Sequence, residues 1–171
     1  LESDINLTGN GCTAQDKKDL AKLIWADGNL KSTGNSNYVW TTSTDRGYYY
    51  TWYSTYTGNT SQNNTDPCSK LNVSTYGTGW RTPSRNELTK LSRCTNKAKV
   101  NNMNSSKGLF LPLAGHTPSA SGASTGGNAV VNGNRDGNYW CTEKYYRFLF
   151  GTNGHTVSDA ASGAFGCSVR C

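Results

Sequence analysis

Methionine occurs once in the 171 residues, histidine twice and proline four times, and only 16% of the side chains are charged. Two histidines, His116 and His155, are too few for a histidine-rich metal site, which sets transition-metal chemistry aside. The six cysteines, at 12, 68, 94, 141, 167 and 171, show none of the paired C-x-x-C spacing of a zinc site. No apolar run approaches the roughly 20 residues of a membrane span or the shorter core of a signal peptide. Since Leu1 is followed by polar residues, any export signal would already have been removed. The formal charge of +6 and pI near 9.0 would suit nucleic acid. The basic residues are scattered, however, and Lys17-Lys18 and Lys97-Ala98-Lys99 are short runs with no groove-reading motif. Solvated surface is the better account, so neither nucleic acid nor membrane insertion is expected.

What the chain has in abundance is Gly, Ser, Thr and Asn, a composition that favours strands and turns over helices. Hydrophobic residues make up 34% and mean hydropathy is -0.69, yet five Trp, ten Tyr and four Phe supply large buried area per residue. One domain spanning residues 1–171 with an aromatic core is the expectation, because a chain of this length buries roughly 70% of its unfolded surface. An even set of cysteines reads as disulfides, which places the chain in an oxidising environment, secreted or at a cell surface.

Along the chain, residues 13–24 space Leu20, Leu23 and Ile24 for a short amphipathic helix or the lead into a strand. The alternation of Tyr48, Tyr50 and Trp52 suits one buried strand face, and Thr57 to Pro67 is a polar loop. Thr82 as N-cap, Pro83 at the first helical position, and Leu88 with Leu91 on one face predict a helix over 83–94. Leu109 to Gly115 reads as a short buried strand, and His116 to Asn138 as a long loop without a clear element. Tyr139 to Phe150 reads as a strand with Phe148 and Phe150 inward and Arg147 and Leu149 outward, and Gly166 to Cys171 as a terminal strand. Trp25, Trp40, Trp52, Trp80 and Trp140 are read as core.

Taken in order, the fragments Trp25-Ala26-Asp27-Gly28-Asn29-Leu30, Gly47-Tyr48-Tyr49-Tyr50-Thr51-Trp52, Asp66-Pro67-Cys68, Gly79-Trp80-Arg81-Thr82-Pro83-Ser84, Gly108 to Gly115, Gly137-Asn138-Tyr139-Trp140 and Cys167-Ser168-Val169-Arg170-Cys171 carry a resemblance. The series resembles the Fibrobacter succinogenes major paralogous domain family, with relatives in envelope and fimbrial proteins of Bacteroidetes. That family is similar in turn to C-type lectin-like domains and to the variable proteins made by diversity-generating retroelements. The resemblance implies an α+β, C-type lectin-like domain: a twisted antiparallel sheet, one or two short helices, long irregular loops and stabilising disulfides. It also implies that Cys68 joins Cys171; Cys141 and Cys167 depart from the serine and the aromatic that the family pattern usually shows there, paired departures that suggest a mutual bond and leave Cys12 for Cys94. The residues alone keep the connectivity open among many pairings.

In the resembling domains, ligand contacts come from residues between the Tyr-Trp pair and the final Ser-Val-Arg-Cys. By position these are Thr142, Glu143, Lys144, Tyr145, Tyr146, Arg147, Leu149, Asn153, His155, Asp159 and Phe165. Tyr and Arg are the types that dominate binding hot spots. The resemblance therefore implies an adhesin-like module for a protein or glycan ligand, with a structural envelope or pilus subunit as the alternative.

Three chemical motifs are weighed against that reading. Gly122-Ala123-Ser124-Thr125-Gly126, followed by Asp136 and His155, matches the order of a serine hydrolase, but the flanks lack the apolar strand and the helix a nucleophile elbow needs. Asn132, Asn134, Asp136, Gly137 and Glu143 follow calcium-loop spacing without flanking helices, so no cofactor is expected, calcium being the single alternative. Formylglycine-generating enzymes share the broader fold, and Cys167 with Cys171 would mimic their reactive pair only if reduced. No catalysis is expected.

Overall fold

The computed structural model describes residues 11–34, 37–42, 46–50, 52, 64–94, 111, 113–116, 135–151, 154–159 and 166–171. Helix α1 (Ala14–Ala21) begins with a capping box: Asp16 N–H donates to the Thr13 hydroxyl at 3.0 Å, and the Asp16 carboxylate accepts the Thr13 N–H at 3.2 Å. Pro67–Lys70 form a 3-10 turn capped by Asp66, and α2 (Val73–Tyr76) is one turn capped by Asn72. Helix α3 (Arg85–Cys94) starts later than position 83, because a second capping box forms between Ser84 and Glu87. Thr82, expected as the cap, instead donates its N–H and hydroxyl to the Asp66 carboxylate at 2.9 and 2.7 Å. A charged acceptor outcompetes the helix end for that side chain.

Helices α1 and α3 pack through Leu20, Leu88 and Leu91 and are tied by the Cys12–Cys94 disulfide. Arg93 and Lys90 of α3 reach Asp16 and Asp19 of α1 at 2.8 and 2.7 Å.

Among the described residues the strands form two small antiparallel sheets. A hairpin pairs β1 (Leu30–Gly34) with β2 (Asn37–Trp40), and a three-stranded meander runs β3 (Asp136–Trp140), β4 (Tyr146–Gly151), β5 (Gly154–Asp159). The fold is thus mixed α+β with few helices. Residues 139–150, read from sequence as one strand, are split by the turn 141–145. Strand β3 starts inside the stretch read as structureless, and β5 was not anticipated. In residues 46–50, Tyr50 bridges Cys167 and the Tyr48 N–H donates to the Leu30 carbonyl at 3.0 Å, and burial departs from the predicted alternation because Tyr49 is covered too, its hydroxyl donating to the Ala114 carbonyl. Leu111 and Ala114 are buried as expected, and Gly115 bridges Gly137.

The C-terminal residues 166–171 are extended and central rather than part of a regular strand. Cys167 bridges Tyr50, Ser168 bridges Tyr139, and the carbonyls of Val169 and Cys171 accept from Leu30 and Ala26 at 2.9 Å. The Cys68–Cys171 disulfide fixes the end of this segment to the 3-10 turn. Arg170 is buried and satisfied by Asn29 at 2.9 Å and the Ala26 carbonyl at 2.7 Å, while Asn29 also donates to the Tyr139 hydroxyl at 3.0 Å.

Strand β3 divides the core. Trp140 packs with Leu30, Tyr38, Tyr50, Trp52 and Val169, whereas Tyr139 and Cys141 pack with Leu20, Leu88, Leu91, Phe148 and Phe150. This division overturns the Cys141–Cys167 pairing, since both thiols are free and buried. Ser168 is in register with Tyr139, so Cys167 lies beside Asn138 while Cys141 lies further along and on the opposite face. At roughly 3.3 Å per residue the two sulfurs belong to different clusters, too far apart for a disulfide.

Candidate ligand-binding surface

The segment carrying most of the predicted contact residues is the β3–β4 turn and the strand that follows it. The turn is fastened from beneath. Thr142 N–H donates to the Pro83 carbonyl at 3.0 Å, and the Glu143 carboxylate accepts the Arg85 N–H at the start of α3. A carboxylate there is favoured by the unsatisfied N–H groups and the positive end of the helix dipole. The Trp52 indole N–H is shared by the Cys141 and Glu143 carbonyls, each at 3.1 Å, and the Trp52 ring meets Tyr145 edge-on at 5.4 Å. Tyr145 has φ of 62°, a left-handed conformation that a bulky residue holds only when its surroundings enforce it.

The predicted residues therefore divide. Thr142 and Glu143 fasten the turn, and Tyr146 packs partly against the α3 cluster with the Arg85 guanidinium 3.9 Å above its ring. Arg147, expected outward, is half-buried with its charge beside the Cys167 thiol, since the face it shares with Trp140 is covered by the C-terminal segment. Lys144 is exposed with its ammonium 5.1 Å from the Tyr145 ring, and Tyr145 and Leu149 are partly exposed. His155 and Asp159 take ladder positions opposite Phe150 and Tyr146. Asn153 and Phe165 lie outside the described residues.

Electrostatically the surface rests on a buried, neutral floor. Burial pushes the Cys141 thiol up to about 12, with the Glu143 carboxylate adding to the rise. Cys167 is likewise pushed up to about 12 by burial, against the opposing charge of Arg147. Neither thiol is a nucleophile in that state. His116 is held below its ordinary value by burial and by Arg147.

Asp136 and Gly137 belong to a strand, and the Glu143 carboxylate is engaged with Arg85 and Thr142. Asn132, Asn134 and Ser124 lie outside the described residues. Among the described residues, no three His, Cys, Asp or Glu side chains converge as a metal site, and no helix is long and apolar enough to cross a membrane.

A concavity of about 390 Å³ opens near the α3 N-terminus, between the segment after α1 and the α2–α3 connection. Trp25, Tyr76 and Trp80 line it with Arg81 and Glu87. Trp25, Trp40 and Trp80, read from sequence as core, are each partly exposed. No signal in the sequence distinguished them, since a tryptophan at a core edge and one inside a core look alike in one chain. Comparison with family models, with curated proteins and with solved structures gives no match for this chain.

Proposed function

We propose that the chain is an extracellular, non-catalytic ligand-binding module of C-type lectin-like architecture, displaying Lys144, Tyr145 and Leu149 of the β3–β4 region to a protein or glycan. The observation that carries this reading is the fastening of the turn to Pro83, Arg85 and Trp52, which leaves Lys144 exposed and Tyr145 partly exposed above it. Side chains held in advance lose little entropy on binding, which favours a contact surface over a solvated loop. Two disulfides support an oxidising, extracellular setting. The order of sequence fragments resembling the Fibrobacter succinogenes major paralogous domain family supports an adhesin-like role.

The test is a screen of the oxidised protein against glycan and host-protein arrays beside the double variant Lys144→Glu/Leu149→Ala. Binding weakened by about tenfold or more, about 1.4 kcal/mol, with an unchanged melting temperature is the expected result. Equal binding by the variant would remove the surface from the proposal. A folded parent that binds nothing but forms concentration-dependent polymers in sedimentation would favour a structural envelope or pilus subunit.

A further inference from the structure

We propose that the concavity beside α2 is a saccharide-binding site separate from the β3–β4 surface. Its floor is set before any ligand arrives. The Trp80 indole N–H donates to the Tyr76 carbonyl at 2.7 Å, and Trp40 meets Trp80 edge-on at 4.8 Å and Tyr76 at 4.2 Å. Beside this aromatic floor stands a charged fork, Arg81 paired with Glu87 through both guanidinium nitrogens and both carboxylate oxygens. Burial pushes the Glu87 carboxyl up, but Arg81 and the Ser84 N–H outweigh it and hold the group below its ordinary value. The fork is thus ionised at neutral pH. Arg81 makes three hydrogen bonds, to Thr82 and Glu87, out of the five N–H donors a guanidinium has.

The combination selects a ligand with two kinds of surface. A pyranose ring presents polarised C–H bonds on its faces, which stack on aromatic rings, and hydroxyls around its edge. A hydroxyl both donates and accepts, so it can meet a carboxylate and a guanidinium side by side. A purely apolar ligand would cover the Arg81–Glu87 pair without replacing its water. Glu87 likewise opposes a polyanion. The 390 Å³ here lies at the lower end of small-ligand sites, roughly 300 to 1,000 Å³.

The experiment follows the tryptophan indole N–H resonances of the ¹⁵N-labelled oxidised chain during titration with neutral mono- to tetrasaccharides of glucose, galactose, mannose and N-acetylglucosamine. At least one sugar is expected to shift the Trp80 resonance. Thr78 is exposed and lines the concavity, so Thr78→Arg fills it without touching the core and should weaken binding by about tenfold or more with an unchanged melting temperature. Trp80→Ala should abolish binding, with Thr78→Arg deciding if that variant does not fold. Lys144→Glu/Leu149→Ala should bind the sugar as the parent does. The proposal is overturned if no sugar in the panel shifts Trp80, if Thr78→Arg binds normally, or if the Lys144/Leu149 variant is the one that loses the sugar.

Discussion

At the scale of single residues, the two buried thiols have a measurable consequence. Cys141 and Cys167 keep their protons up to about pH 12 in the folded chain, against roughly 8.5 when unfolded. The folded state therefore binds protons more tightly. Their contribution to stability is complete below the unfolded value and is lost as pH rises from there toward the folded one. Tyr50 and Tyr139, also raised by burial, act in the same direction at higher pH. The urea midpoint should fall as pH rises above about 8.5, and Cys141→Ala/Cys167→Ala should flatten that slope. A thiol reagent should find nothing reactive in the native protein and two thiols per chain after unfolding without reductant. Finding none after unfolding would mean that the two sulfurs are bonded after all.

At the scale of elements, the β3–β4 pair depends on a side chain that is absent. Gly137 stands opposite Phe150, and a Cβ at that position would lie 2.1 Å from the end of the Phe150 ring. The ring occupies the space over the glycine and completes the cluster with Tyr139 and Phe148. Gly137→Ala should destabilise by about 1 to 3 kcal/mol through overpacking, read as a lower urea midpoint, and Phe150→Leu in the same chain should recover part of the loss. A variant as stable as the parent would show that the strands can slide apart without cost. The hairpin itself was hard to read because residues 141–145 contain no Gly, Pro or Asn to announce a turn. Its conformation is imposed by Trp52, Pro83 and Arg85, distant in sequence, and nothing within the turn encodes them.

At the scale of the whole molecule, two disulfides close long loops. Cys68–Cys171 spans 103 residues and Cys12–Cys94 spans 82. In the chain-entropy account each stabilises by about 4 to 5 kcal/mol, a large share of the 5 to 15 kcal/mol typical of folded domains. Replacing either pair by Ala should lower the unfolding free energy by about that amount, and replacing both should leave the chain largely unfolded. The Cys68/Cys171 variant should also loosen residues 166–171, seen as faster amide exchange at Leu30 and Ala26, whose N–H groups donate to that segment. Unchanged exchange there would mean that the backbone ladder holds the segment without the cystine.

The sequence by itself determined what depends on neighbours along the chain or on bulk chemistry. Helix α3 was legible because Leu88 and Leu91 share a face near a Thr-Pro-Ser start, and burial of Phe148 and Phe150 because they alternate onto one face of a strand. The even cysteine count indicated disulfides, and two of the pairings that the resemblance implied are present. Tertiary structure alone decided the rest. It took the cap from Thr82 by presenting Asp66, kept Cys141 from Cys167 by placing them on opposite faces, and drew Arg147 inward by laying the C-terminal segment over its side of the sheet. Each of these outcomes is set by a partner many residues away, and a side chain's local pattern carries no record of which distant group arrives beside it.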